Sequence, residues 1–181
     1  MIVQLCGLSG AGKSTISRIV KNKLIEDGYL AEVIDGDEYR RVLCRDLGFS
    51  REDRNENIRR LAFVADKLSA NGIIVLISAI NPYEEIRNEV AKCYSNVKTV
   101  FIDCSIENLI KRDTKGLYVR ALLADDHPDK VFNLTGVNDN FDIPSNPDLY
   151  INSGISSIKE GAEKLYDFVV SHRSLILARY D

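Results

Sequence analysis

Near its amino terminus the chain reads Gly7-Leu8-Ser9-Gly10-Ala11-Gly12-Lys13-Ser14, which fills the pattern G-x-x-x-x-G-K-[ST]. The apolar run Ile2–Cys6 before it is typical of a strand, and a helical pattern begins after it at Thr15. Glycines let such a segment curl so that backbone N–H groups point at a phosphate, and the helix dipole adds to the attraction. This context favours a phosphate-binding loop (P-loop) over a chance glycine-rich turn. A Rossmann dinucleotide site is excluded because its third glycine is missing.

The P-loop predicts which groups bind ATP and Mg²⁺. The pattern assigns Lys13 to the β- and γ-phosphate oxygens, and it assigns the Ser14 hydroxyl to the Mg²⁺ shell. Mg²⁺ is therefore the predicted cofactor, with ATP as co-substrate. The predicted ATP-binding residues of this segment are Gly7, Leu8, Ser9, Gly10, Ala11, Gly12, Lys13, Ser14 and Thr15.

Short β-rich apolar runs alternate with amphipathic stretches along the rest of the chain, which is the pattern of βαβ units. The sequence predicts an α/β P-loop NTPase fold with a five-stranded, mostly parallel sheet, helices on both faces and a lid segment. Residues 1–181 are expected to form a single kinase domain. Helix starts are predicted at Ser50 with Asp53 and at Ser157 with Glu160. The predicted strands are Ile2–Cys6, Ala31–Ile34, Ile73–Ser78, Val97–Ile102 and Leu149–Asn152.

One region interrupts the alternation of predicted strands and helices. Residues 124–147 carry Asp, Asn, Pro and Gly with little periodicity, and a loop of that length inside a compact domain is usually a lid or binding segment. Plain disorder is disfavoured because the region also carries Phe132, Leu134, Val137 and Phe141. We expect a lid over about residues 113–147.

Charge and composition exclude several classes of protein. With 24 basic and 27 acidic residues the chain has no broad basic surface for nucleic acid or an anionic membrane. No apolar run approaches the ~18 residues of a membrane span, and Met1–Cys6 lacks the basic flank of a signal peptide, so we expect a cytoplasmic protein. Four cysteines without C-x-x-C spacing and two histidines predict reduced structural thiols and no zinc site.

Two carboxylates at the end of the second predicted strand favour a kinase. Asp35 and Asp37 suit Mg²⁺ ligation and acceptance of a proton from an attacking hydroxyl; the alternative is that they only shape a turn. A GTPase is disfavoured because no N-K-x-D segment is present, and a motor because the chain is too small for relay domains.

Five motifs in one order resemble the adenylylsulfate (APS) kinase family. The resemblance runs from Leu5 to about Leu149 and implies transfer of the ATP γ-phosphate to the 3′-hydroxyl of APS, giving 3′-phosphoadenylyl sulfate and ADP. The motifs are the P-loop, Asp35-Gly36-Asp37 with Arg40, Leu47-Gly48-Phe49-Ser50, Asp53-Arg54-Asn55-Glu56-Asn57-Ile58-Arg59-Arg60, and Arg112-Asp113-Thr114-Lys115-Gly116-Leu117-Tyr118.

The resemblance also implies a role for individual residues. Lys13, Asp37 and Lys115 are the implied catalytic residues, with Arg112 on ATP and Ser14 with Asp35 on the metal. Arg54 and Asn57 lie three apart on one helical face, and Phe49 offers a flat face for a base. The implied acceptor-site residues are Asp37, Arg40, Phe49, Arg54, Asn57, Ile80, Asn81, Lys115, Phe132 and Leu134.

The sequence departs from the family pattern in the lid. Leu134 stands where the family has a Phe that stacks on the acceptor adenine, Phe132 lies two residues earlier, and Asn81 replaces a serine. Three hypotheses therefore stay open. They are an APS kinase with a displaced Phe132, a kinase of another small nucleotide conjugate such as a cytidine diphosphate conjugate, and a nucleotide-binding module without turnover. The last is disfavoured because the catalytic residues are present. ATP and a small nucleotide acceptor are the expected partners, with neither nucleic acid nor membrane, and a homodimer is left open.

Overall fold

The computed structural model describes residues 1–177, with side chains to residue 173, so the last four residues of the predicted domain lie outside the described part. The described strands are β1 (Ile2–Cys6), β2 (Ala31–Asp35), β3 (Ile74–Ser78), β4 (Val97–Asp103) and β5 (Leu149–Asn152). The described helices are α1 (Lys13–Glu26), α2 (Gly36–Arg40), α3 (Arg51–Ala70), α4 (Glu84–Cys93), α5 (Ile106–Arg112), α6 (Leu117–Ala121) and α7 (Ile158–Leu177).

The five strands form one sheet in the order β2-β3-β1-β4-β5, and every neighbouring pair is parallel. Alternate residues of each central strand enter different cores. In β1, Val3 and Leu5 pack with α1 and α7, whereas Ile2 packs with α3 and α4 on the opposite face. A strand that is buried on both faces needs a continuous apolar run. The predicted α/β fold with helices on both faces is confirmed.

Both predicted helix starts are present. Ser50 Oγ accepts a hydrogen bond from the Asp53 N–H at 3.1 Å. The Asp53 carboxylate accepts from Gly48 N, so this cap is not fully reciprocal. At α7, Ser157 and Glu160 bond each other's backbone N–H groups at 3.2 and 2.8 Å. Helix α1 begins at Lys13, two residues before the predicted Thr15, which places the P-loop lysine in the first turn.

The predicted lid region packs against the P-loop. Apart from α6, residues 113–147 are mostly irregular. Leu134 is buried in the core beside α1 and β4. Gly136 has φ +87°, and a Cβ there would lie 2.6 Å from the Leu8 side chain. The positive φ therefore favours glycine at this position, and any larger residue would also displace the Leu8 side chain.

In the described part of the chain, α3 and α7 are the longest helices, with 20 residues each. Within residues 1–177, neither they nor any other helix combines the length and apolar character that crossing a membrane requires.

Candidate active site

A cavity of about 520 Å³ opens at the carboxyl ends of β1, β2 and β3. Its walls are the P-loop, the end of β3, the connection from α5 to α6, and the connection from β5 to α7. We call it the P-loop cavity, and its lining residues are Ser9, Gly10, Gly12, Lys13, Ser14, Thr15, Asp35, Asp37, Ser78, Ala79, Ile80, Arg112, Thr114, Lys115, Ser153, Ser156, Ser157 and Ile158.

Gly7, Leu8 and Ala11 are predicted ATP-binding residues that lie behind this lining. Gly7 has φ +145°, and a Cβ there would lie 2.2 Å from the Ile102 carbonyl oxygen, so the loop touches β4 closely. The Gly7 N–H donates to the Ile80 carbonyl at 3.1 Å. The start of the P-loop is thus bonded to the segment after β3.

Lys13 lies inside the loop. Its Nζ donates to the carbonyls of Gly7 and Leu8, each at 2.7 Å. Burial lowers the pKa of Lys13 to about 8, because a desolvated ammonium loses hydration energy. A phosphate anion in the cavity would stabilise the protonated form.

Oxygen groups suited to Mg²⁺ line the same cavity. Ser14 Oγ lies 3.1 Å from Ser78 Oγ. Asp35 Oδ1 accepts from the N–H groups of Asp37 and Glu38, so Asp35 also caps α2 as the turn hypothesis required. Its other oxygen pairs with Arg18 at 3.4 Å. A hydroxyl and a carboxylate are hard ligands that fit Mg²⁺, which usually takes few protein ligands and keeps several waters.

Asp37 and Lys115 meet at the mouth of the cavity. The Lys115 ammonium donates to the Asp37 carboxylate, although the two residues are 78 positions apart. Both side chains are more than half exposed. The predicted catalytic residues Lys13, Asp37 and Lys115 therefore line one cavity.

The connection that carries Lys115 is bonded at both ends. The Arg112 guanidinium donates to the Ser153 carbonyl at 2.6 Å. The Asp113 carboxylate accepts from Tyr118 N and Val119 N, which caps α6. The buried Tyr118 hydroxyl donates to the Ser9 carbonyl of the P-loop at 2.8 Å, and burial raises the pKa of Tyr118 to about 12.

Sequence reasoning assigned no role to Tyr118, Asp113 or Ser78. The first two stood only as members of a motif. For Ser78 a signal existed, because it is the one polar residue of β3 and lies at the strand end beside the P-loop.

A second, smaller cavity of about 70 Å³ adjoins the first. We call it the Phe49 cavity. It shares Asp37, Ala79 and Ile80 with the P-loop cavity. It contains seven of the ten predicted acceptor-site residues, and its full lining is Gly36, Asp37, Arg40, Phe49, Arg54, Asn57, Ile58, Ala79, Ile80, Asn81 and Pro82.

Two arginines flank Phe49. The guanidinium carbons of Arg40 and Arg54 lie 4.5 and 5.5 Å from the ring centroid, and the ring is half exposed. The buried Arg54 guanidinium donates to the carbonyls of Phe49 and Asn133 at 3.1 and 2.6 Å. It also pairs with the Asp139 carboxylate at 3.0 Å, so Arg54 connects this cavity to the lid region.

Phe132 and Leu134 do not line the Phe49 cavity. Leu134 is 4% exposed within the core, whereas Phe132 is 61% exposed, with the Lys130 ammonium 5.6 Å from its ring centroid. At the sequence position where the family pattern has Phe, this chain has Leu134, whose side chain packs in the core. The structure thus brings seven predicted acceptor residues together and places these two elsewhere; Lys115 is in the P-loop cavity.

Known proteins resemble this chain over most of its length. The family described as adenylylsulphate kinase matches residues 1–152. An adenylyl-sulfate kinase of Microcystis aeruginosa is 44% identical over 165 residues, which cover 91% of this chain and 88% of the relative.

Solved structures of related kinases superpose on the fold. The APS kinase of Mycobacterium tuberculosis, in complex with AMPPNP and APS, has a TM-score of 0.86 and 38% identity, covering 93% of this chain and 96% of that one. A hexameric APS kinase from Thiobacillus denitrificans has a TM-score of 0.67 and 26% identity, covering 94% of this chain and 28% of that one. The chain belongs to the adenylylsulphate kinase family, whose members are ATP-dependent kinases with a hydroxyl acceptor.

Proposed function

We propose that this protein transfers the γ-phosphate of ATP to the 3′-hydroxyl of APS, giving 3′-phosphoadenylyl sulfate and ADP. The observation that carries the proposal is that two cavities meet at Asp37 and Ile80, one built by the P-loop and one by acceptor residues of the family pattern. The Mycobacterium tuberculosis relative, which holds AMPPNP and APS together, supports separate binding sites for the nucleotide donor and the acceptor.

ATP occupies the P-loop cavity in this proposal. Backbone N–H groups of the loop bind the phosphates, and Lys13 moves from its carbonyl partners to β- and γ-phosphate oxygens. Arg112, at the far wall, contacts the nucleotide. Ser14 and Asp35 would hold Mg²⁺, which supplies charge neutralisation on the phosphates when bound.

APS binds at the Phe49 cavity, whose volume of about 70 Å³ holds only part of a nucleotide, so the rest of APS lies at the mouth of the cavity. Phe49 presents a flat face for the adenine, and base–aromatic stacking contributes about 1–3 kcal/mol. Arg40 supplies donors for the phosphosulfate, and Arg54 adds its Nη1 group, because its Nε and Nη2 already bond Phe49, Asn133 and Asp139. Asn57 and the Ile80–Asn81 segment form the remaining wall.

The transfer occurs where the cavities meet. Asp37 accepts the proton of the 3′-hydroxyl as the hydroxyl oxygen bonds to the γ-phosphorus and the bond from that phosphorus to the β-phosphate oxygen breaks. Lys115 leaves the Asp37 carboxylate and neutralises charge on the transferring group. Asp37 then holds the proton, and ADP departs.

A coupled assay of ADP release with a panel of acceptors tests the proposal. We expect release that depends on APS. The positions of Phe132 and Leu134 favour one alternative, an acceptor with a smaller base, so the panel includes cytidine diphosphate conjugates and nucleoside monophosphates. Release that is stimulated by one of these and not by APS would replace the proposal with that alternative.

We also propose a cytoplasmic homodimer. The cytoplasm supplies ATP, and the cysteines found free in residues 1–177 suit a reducing compartment. The relative from Thiobacillus denitrificans is hexameric, and this chain matches 28% of that longer chain. Light scattering should give twice the 20.3 kDa of one chain, and fractionation should place the protein with cytoplasmic enzymes.

A further inference from the structure

A buried arginine outside both cavities connects the acceptor wall with the end of the lid region. Arg87 lies on α4 and is 2% exposed. Its guanidinium donates to two backbone carbonyls, Asn81 O at 2.7 Å and Asp142 O at 2.6 Å. Burial lowers the pKa of this guanidinium, which reflects the cost of removing a cation from water. Such a cost is retained only where the group's hydrogen bonds offset it.

The first carbonyl belongs to the wall of the Phe49 cavity. Asn81 follows Ile80, which lines both cavities, and it adopts a left-handed backbone with φ +46°. Its side-chain amide donates to Gln4 Oε1 at 3.1 Å, and Gln4 Nε2 donates to the Arg87 carbonyl at 3.0 Å. Gln4, Asn81 and Arg87 therefore form a closed ring of hydrogen bonds that stabilises this backbone.

The second carbonyl belongs to the end of the lid region. Asp142 N donates to the Pro82 carbonyl at 2.8 Å, and the Asp142 carboxylate accepts from Glu84 N at 3.1 Å. Three residues earlier, Asp139 pairs with Arg54 inside the Phe49 cavity. One guanidinium thus joins the Ile80–Asn81 wall to the segment that positions Arg54.

We propose that Arg87 is a positioning residue, which keeps the Ile80–Asn81 wall and the Asp139–Asp142 segment in the arrangement that binds the acceptor. The inference rests on the proposed function, because APS is the ligand whose binding it controls. Arg87 lines neither cavity itself. Its loss should therefore change acceptor binding more than ATP binding, because Ile80 lines the P-loop cavity and Asn81 does not.

Arg87→Met removes the donors and keeps an apolar stem of similar length. We expect the KM for APS to rise by about tenfold or more, while the Kd for ATP, measured without APS, stays within about twofold. Arg59→Met is the matched control. Arg59 bonds Glu89 on the protein surface at 2.7 and 2.9 Å and touches neither segment, so this variant should keep both constants.

Arg87→Lys retains the charge but reaches one carbonyl, so its KM for APS should be intermediate. Hydrogen exchange in the ligand-free protein gives a readout without turnover. In both Arg87 variants, the amides of residues 79–84 and of residues 139–143 should exchange faster than in the unmodified protein. If Arg87→Met does not fold, Arg87→Lys by itself provides this measurement.

A folded Arg87 variant with unchanged APS KM, or with equal losses for ATP and APS, would overturn the inference. Exchange that is unchanged in both segments would do the same. Failure of the proposed function is distinct, since it shows in the unmodified protein as the absence of APS-dependent ADP release.

Discussion

The P-loop cavity and the Phe49 cavity lie side by side and share three residues, but they are built differently. The phosphate-binding part of the first is one continuous run, in which residues 9–15 supply six of the lining positions. The second has no such run. Its lining comes from α2, from Phe49 just before α3, from the first half of α3 and from the segment after β3, and contacts from the lid region complete it. A contiguous motif therefore builds the proposed phosphate site, whereas distant segments assemble the proposed acceptor site.

The largest effect should come from the P-loop lysine. Lys13→Ala should abolish turnover, because several kcal/mol of charge stabilisation on the phosphoryl group are lost, while the fold persists. Single-turnover kinetics and thermal melting measure the two effects. Lys159→Ala, an exposed lysine on α7, is the control. Near-normal turnover in Lys13→Ala would remove the P-loop from the mechanism.

The next effect tests Asp37, one of the three residues that both cavities share. Asp37→Asn should lower kcat by about 10²-fold or more with little change in the KM for APS, since a general base acts mainly as the hydroxyl ionises. Steady-state kinetics with varied APS separate these constants. If only the KM for APS rises, Asp37 binds the acceptor and does not take its proton.

Two aromatic variants test which ring contacts the acceptor. Phe49→Ala should weaken APS binding by about 1–3 kcal/mol and leave ATP binding unchanged. Phe132→Ala should change APS binding by less than about twofold, because this exposed ring lies outside the cavity. Calorimetry with each ligand measures both. Equal losses in the two variants would mean that the lid carries Phe132 onto the base.

Tyr118, which is distant from the P-loop in the sequence, stabilises the P-loop through a hydrogen bond to Ser9. Tyr118→Phe keeps the packed ring but leaves the Ser9 carbonyl without its buried partner, at a cost of about 1–3 kcal/mol. We expect weaker ATP binding and an unchanged KM for APS, the opposite of the Arg87 variants. A loss confined to APS would contradict this division of the two sides.

The smallest effect is a pH dependence of ATP binding. Burial lowers the pKa of Lys13 to about 8, and bound phosphates should raise it. Above pH 8 the neutral lysine must take up a proton to bind ATP, so affinity should fall as the pH rises through 8. Calorimetry in buffers of different ionisation heat should detect this proton uptake at pH 8.5 and little at pH 7. Binding without proton uptake at pH 8.5 would disagree.

Local patterns in the sequence determined the fold class and the proposed phosphate site. The P-loop, the two serine caps and the strands are set by backbone geometry and periodicity within a few residues, and the structure has all of them. The residues of the Phe49 cavity were named by resemblance to a family. Their spacing alone supported only the shared helical face of Arg54 and Asn57.

Tertiary structure alone decided the contacts that join distant segments. Lys115 reaches Asp37 across 78 positions, Arg54 reaches Asn133 across 79, and Tyr118 reaches Ser9 across 109. It also decided that Leu134 enters the core and Phe132 faces outward. Neither outcome is visible locally, because an apolar residue in an irregular segment is buried only if the folded chain offers a complementary surface, and a polar contact between such segments forms only once packing brings them together.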